Sequence, residues 1–230
     1  MKRLLAVALV LLALSLSGSA LASNEVTVTQ TGGDNEITVE QEGDNKALVT
    51  QSGDSNNATV GQNGINGLDR LQQGNQNSAN VGQKGEDNSA GVNQLGDVNI
   101  ASVTQVGVSS EATVAQNGNQ NMASVSQYDS QYGGESWVSV SQRGNDNKAT
   151  VHQDRDEENW VKVAQVGDRN TANVTQSGEN SKADVSQNGG ENSATVSQSL
   201  SGDYAEVSHN GHHNTASVTQ SGNENDAYVS

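Results

Sequence analysis

From Asn24 onward the sequence returns to N-x-A-x-V-x-Q-x-G-x-x about every eleven residues. Successive stretches near the end read "NSATVSQSLSGD", "DYAEVSHNGHHN" and "NTASVTQSGNEN". No other feature restricts the fold as much. A unit this short cannot close a core of its own, so it must be built against copies of itself. Units begin at residues 24, 35, 45, 56, 66, 77, 88, 99, 110, 121, 136, 147, 159, 170, 181, 192, 203, 214 and 225, eighteen complete and one truncated. The main slip in spacing is the insertion "YDSQYGGES", Tyr128 to Ser136.

The third position is apolar throughout, from Val26, Ile37, Ala47 and Ala58 to Ala227, and the fifth is Val except at Arg70. The seventh is Gln in 17 of 18 units, with His209 the exception. The ninth is Gly in 15 of 18, the others being Asp129, Arg155 and Leu200. Alternation with period two over seven residues is a strand signal. It puts Asn, Ala, Val and Gln on one face, and Ser, Thr, Asn, Lys or acidic residues on the other. Gly followed by Asn, Asp or Gly is turn chemistry. Each unit therefore reads as strand plus tight turn, and two units as one coil of about 22 residues.

Apolar burial cannot hold such a coil. A buried Val contributes about 1.5–3 kcal/mol and Ala less, while ordering eleven residues costs on the order of 1.5 kcal/mol each. Backbone ladders and stacked polar side chains must supply the rest. Stacking every second unit sets Gln over Gln and Asn over Asn at ~4.8 Å, where their amides can hydrogen-bond along the stack. The ladder residues are then Gln30, Gln41, Gln51, Gln62, Gln72, Gln83, Gln94, Gln105, Gln116, Gln127, Gln142, Gln153, Gln165, Gln176, Gln187, Gln198 and Gln220. With them go Asn24, Asn35, Asn45, Asn77, Asn88, Asn99, Asn121, Asn147, Asn159, Asn170, Asn192, Asn214 and Asn225. The expected fold is all-β: a cross-β solenoid of about nine 22-residue strand-turn-strand coils, with two parallel, in-register sheets. Arg70 is either a defect in that core or a place where the strand shifts and Leu71 turns inward.

Before the repeats stands "MKRLLAVALVLLALSLSGSALA", with a basic start at Lys2 and Arg3, an apolar stretch and a small-residue end. This is a secretory leader over 1–22, with cleavage expected between Ala22 and Ser23. The repeat domain is then 23–230. Composition sets further limits. A charge of −16, near −18 without the leader's two basic residues, disfavours nucleic acid and anionic lipid. With no Cys there is no thiol chemistry, no nucleotide or hydrolase motif appears, and no metal site or cofactor is called for. The carboxylates fall on turns and outer faces. His209, in "HNGHH", replaces a ladder Gln, while His212 and His213 fall in a turn. The aromatics Tyr128, Tyr132, Trp137, Trp160, Tyr204 and Tyr228 fall at outward or loop positions. The fourth position runs Thr27, Thr38, Leu48, Thr59, Asp69, Asn80, Gly91, without the unbroken Thr row of an ice-binding solenoid.

The repeats start directly after the leader and run into the truncated unit "NDAYVS" with no capping element. Exposed strand edges template further chains, and open head-to-tail addition gives filaments. The expectation is a self-assembling fibre.

The units "NTASVTQSG", "NSATVSQS", "NKATVHQ" and "NIASVTQVG" resemble the curlin repeat of bacterial curli subunits. The resemblance covers the whole repeat region. It implies the structural subunit of an extracellular amyloid fibre at the surface of a Gram-negative bacterium, used in biofilm matrix and adhesion, and no enzyme. The implied partners are copies of itself, a nucleator subunit, an outer-membrane secretion channel and periplasmic chaperones. The acidic, regular C-terminus resembles a major subunit more than a minor, nucleating one. An ice- or surface-binding solenoid is a remoter alternative. Two features depart from the family: no Gly-rich segment separates leader and repeats, and the coils outnumber the familiar five.

Overall fold

The computed structural model describes residues 10–14, 24–129, 135–156 and 158–230, and Ala22, Ser23 and Tyr132 lie outside them. Among these residues there are seventeen strands and no helix. Every strand pairing is parallel, and the pairing distance is one coil: Gln30 lies beside Gln51, Gln41 beside Gln62 and Gln105 beside Gln127. Units thus alternate between two stacks. Those beginning at 24, 45, 66, 88, 110, 136, 159, 181, 203 and 225 form sheet I. Those beginning at 35, 56, 77, 99, 121, 147, 170, 192 and 214 form sheet II. The result is the β-solenoid of about nine coils that the period predicts.

The strands form because Val and Thr favour the pleated backbone, and alternation turns one face inward. From Ile37 to Val218 the third and fifth positions are buried in one thin core of Ala and Val. Val10–Leu14, within the apolar stretch read as a leader, forms a short strand beside Ile37–Gln41 of sheet II.

The two kinds of corner differ. Every corner from sheet I to sheet II carries a glycine, from Gly32 to Gly211, at positive φ. Gly118, at φ 129°, shows why. A Cβ there would overlap the carbonyl oxygen of Gly144 in the next coil, so the stacking distance itself demands glycine. Corners from sheet II to sheet I are looser. All three glycine exceptions, Asp129, Arg155 and Leu200, occur there, as do the insertion after Tyr128 and the five-residue link from Asp154 to Glu158. Early in the chain these corners stay hydrogen-bonded. Glu36–Ser52 and Asn57–Gln73 each run as one strand through a place where the sequence predicts a turn.

Arg70 does not shift the register. Its neighbours remain Val49 and Val92, its side chain is buried, and Leu71 points outward, half-exposed. Of the two expectations for Arg70, the core defect holds and the inward Leu71 does not. Slipping one residue would have turned the whole strand over, exposing Leu68 and Gln72.

Candidate functional site

All seventeen ladder glutamines meet. In sheet II, Nε2 of each donates to Oε1 of the next, from Gln41 to Gln62 (2.7 Å), through Gln83, Gln105, Gln127, Gln153 and Gln176, to Gln198 and Gln220 (2.9 Å). Sheet I carries a second chain from Gln30 (3.0 Å to Gln51) through Gln72, Gln94, Gln116, Gln142 and Gln165 to Gln187. The second amide proton of most rungs reaches backbone in the facing sheet, as from Gln72 to the Asn57 carbonyl (3.1 Å) and from Gln94 to that of Ser78 (3.1 Å). One side chain thereby ties a coil to the next and one sheet to the other. Two N–H donors and a carbonyl on a stem of this length are what the position requires.

The asparagines form ladders running the other way. Asn99 donates its backbone N–H and Nδ2 to Oδ1 of Asn77 below (3.0 and 3.1 Å), and its Nδ2 also caps the Gly118 carbonyl at the corner (2.8 Å). In sheet II the series is unbroken, from Asn35 through Asn121, Asn147, Asn170 and Asn192 to Asn214. It includes Asn56, absent from the sequence-derived set, as does the sheet I series with Asn66. In sheet I, Asn24, Asn45, Asn66 and Asn88 lead to Ser110. Beyond it, Asn159 accepts from Ser181, and Asn225 donates to Asp203 (2.9 Å). The irregular inward residues, Arg70, Ser110, Ser136, Ser181, Asp203 and His209, all belong to sheet I.

His209 occupies a Gln position with its Nδ1 buried and without a partner among the described residues, and burial lowers its pKa. His212, read as a turn residue, accepts the Gly190 N–H at Nδ1 (3.1 Å). It continues a corner ladder that sequence reasoning missed. Asp54 accepts the N–H of Gly33 (2.7 Å), Asn75 that of Asp54 (2.9 Å), Asp97 that of Asn75 (2.8 Å), and so on through Asn119 and Asn145 to Asp168. The signal was an Asp or Asn directly after the glycine at six of the nine corners from sheet I to sheet II, the others holding Gly33, Gly190 and His212.

On the outer face of sheet I, Trp137 and Trp160 stack with ring centroids 5.0 Å apart. Lys182 lies 4.4 Å over the Trp160 ring, and Tyr204 and Tyr228 follow 5.5 Å apart. Outward-facing aromatics are thus confirmed at the described positions, as parts of a coil-to-coil ladder. Lys46–Glu25 and Arg169–Glu191 are solvent-exposed ion pairs and add little stability.

What this geometry can do is repeat itself: each coil offers the next the same backbone edge and the same amide donors and acceptors. The profile of the Curlin associated repeat matches residues 22–43, 44–69, 96–128 and 178–208. No curated protein matches the chain. Four matched repeats, on coils whose Gln and Asn ladders account for the residues that define the unit, give the conclusion that the chain belongs to the curlin-repeat family.

Proposed function

We propose that this chain is the major-type structural subunit of a secreted amyloid fibre, growing by addition of one solenoid to the end of another. The family is one of structural subunits of extracellular fibres. The observation that carries the reading is the amide ladder, whose every rung needs a rung on either side. At the first coil, Gln30 holds a buried Oε1 with no donor among the described residues. A glutamine of a neighbouring copy has the right group to supply one. The regular sheet II ladder, intact to Gln220, supports growth of like on like rather than a specialised nucleating coil. Adhesion and a place in the biofilm matrix follow from such a fibre at a cell surface. Its nucleator, export channel and chaperones are the partners that a secreted, unfolded subunit of this family would meet.

The test uses residues 23–230, unfolded in denaturant and diluted with no other protein present. The expected result is spontaneous dye-binding filaments with a meridional reflection near ~4.8 Å. A stable monomer would reject polymerisation, and growth only on filaments of another subunit would reject the major-type assignment.

A further inference from the structure

The two outer faces of the solenoid are not alike. Across the eight sheet II strands from Asn57 to Thr219, the second, fourth and sixth positions hold no Asp or Glu, and two groups able to carry positive charge, Lys148 and His152. Lys84 and Asp154 lie at the eighth position, beside the corners, and Glu36 and Glu40 are confined to the first sheet II strand. Over the same span sheet I presents Asp69, Glu111, Asp184 and Glu206, with Lys162 and Lys182. In a chain of net charge −16, a face whose centre is free of carboxylates is a distinct surface. Its middle column reads Ser102, Ser124, Thr150, Asn173, Thr195, Ser217. Beside that column Ile100 and Met122 stack on each other, 42% and 43% exposed.

We propose that this face binds the same face of a second copy, so that solenoids pair side by side through sheet II. Charge is the first argument. Approach through sheet I or the corners brings carboxylates together, whereas the centre of sheet II, from Asn57 to Thr219, has none to bring together. The second is surface chemistry. Ser and Thr hydroxyls both donate and accept, so two such faces can satisfy each other, and short side chains let sheets close to ~10 Å as a dry zipper. Ile100 and Met122 supply an apolar centre. The third is topology, since parallel sheets are ordinarily covered on both faces and none of the described residues covers this one outside. The fourth is size. Eight strands at ~4.8 Å by seven residues at ~3.3 Å give on the order of 900 Å² per copy, the area of a standard stable interface.

The filament readout rests on the fibre reading above, and the experiment separates the two. Ser102→Glu, Ser124→Glu and Thr195→Glu together place three carboxylates on sheet II. Ser139→Glu, Ser186→Glu and Ser208→Glu place three on sheet I as the control. Mass per unit length of filaments, by scanning transmission electron microscopy, should correspond to two chains per solenoid height in the natural protein and the control. In the sheet II variant it should be halved, with the ~4.8 Å reflection unchanged. Single-solenoid filaments of the natural protein, an unhalved sheet II variant, or equal halving in the control would overturn the pairing. If no filaments form at all, the fibre reading fails by itself and sedimentation decides. A soluble dimer split only by the sheet II variant sustains the pairing, whereas a monomer, including one that holds ice or glycan on this face, overturns it.

Discussion

Replacing Gln94, Gln116 and Gln142 by Glu will abolish folding at neutral pH. The three are consecutive rungs of sheet I, joined at 2.8 and 2.9 Å and at most 1% exposed. The change keeps side-chain shape and removes the donors that reach the Ser78, Ile100 and Met122 carbonyls. It also lines up three buried carboxylates at ~4.8 Å. An uncompensated buried charge costs about 3–5 kcal/mol, so three exceed or match the entire stability of most domains, about 5–15 kcal/mol. Burial and mutual repulsion raise the folded-state pKa of each introduced Glu above its unfolded value near ~4.3. The penalty is therefore full above the folded value and recedes as pH falls through it. Circular dichroism should show no β signal at about pH 7 and partial recovery near about pH 4. Leucine at the same three places avoids charge but strands the ladder carbonyls, each costing about 1–3 kcal/mol, and should weaken the fold at every pH. Undiminished stability of the Glu variant at neutral pH would show that the ladder is incidental.

Arg70→Val will stabilise the protein by about 2–4 kcal/mol. The guanidinium is buried in the Ala–Val core, donates from Nη2 to the Thr59 carbonyl (3.0 Å), and leaves Nε and Nη1 without partners among the described residues. Burial pulls its pKa well below the usual guanidinium range, to about 9, so it is still charged at neutral pH. Valine restores the column from Val49 to Val92. The pH dependence has a definite sign. A cation whose folded pKa is depressed imposes its full cost below that value. Above about 9 the folded form releases the proton while the unfolded form keeps it, so stability rises with pH. The stability difference between Arg70→Val and the natural protein, from urea midpoints, should be largest at neutral pH and narrow above about 9. A variant less stable than the parent would contradict the account.

Much of this was legible in the sequence because the signals were redundant. Ala and Val at two fixed positions named the core, and Gln at a third named all seventeen rungs that the structure joins. What escaped was information at twice the period. Units of eleven residues look alike, yet alternate ones belong to different sheets, and a list in chain order interleaves the two faces. Read that way, the fourth position mixes Asp69 and Gly91 with Thr38 and Thr59. Separated by sheet, the fourth-position column of sheet II is free of acid and that of sheet I is not. Asn56 stands at the first position of its unit, so the period already turned it inward, and the structure finds it there at 1% exposure. Asn66 closes a corner one residue shorter than most, after Ile65. The corner ladder through Asp54, Asn75 and Asp97 was hidden because Asp and Asn are expected in turns on backbone grounds alone. Arg70 stayed in register because one buried cation disturbs one coil, whereas a slip would expose Leu68 and Gln72 together.

The most direct measurement is hydrogen exchange of the glutamine side-chain amides, followed by NMR on the folded chain. Ladder glutamines such as Gln105 and Gln153 should hold their Nε2 protons as long as the core backbone holds its own, while exposed Gln73, Gln76 and Gln120 exchange at once. Ladder amides exchanging as fast as those three, with the backbone still protected, would mean that the chain keeps its shape without them.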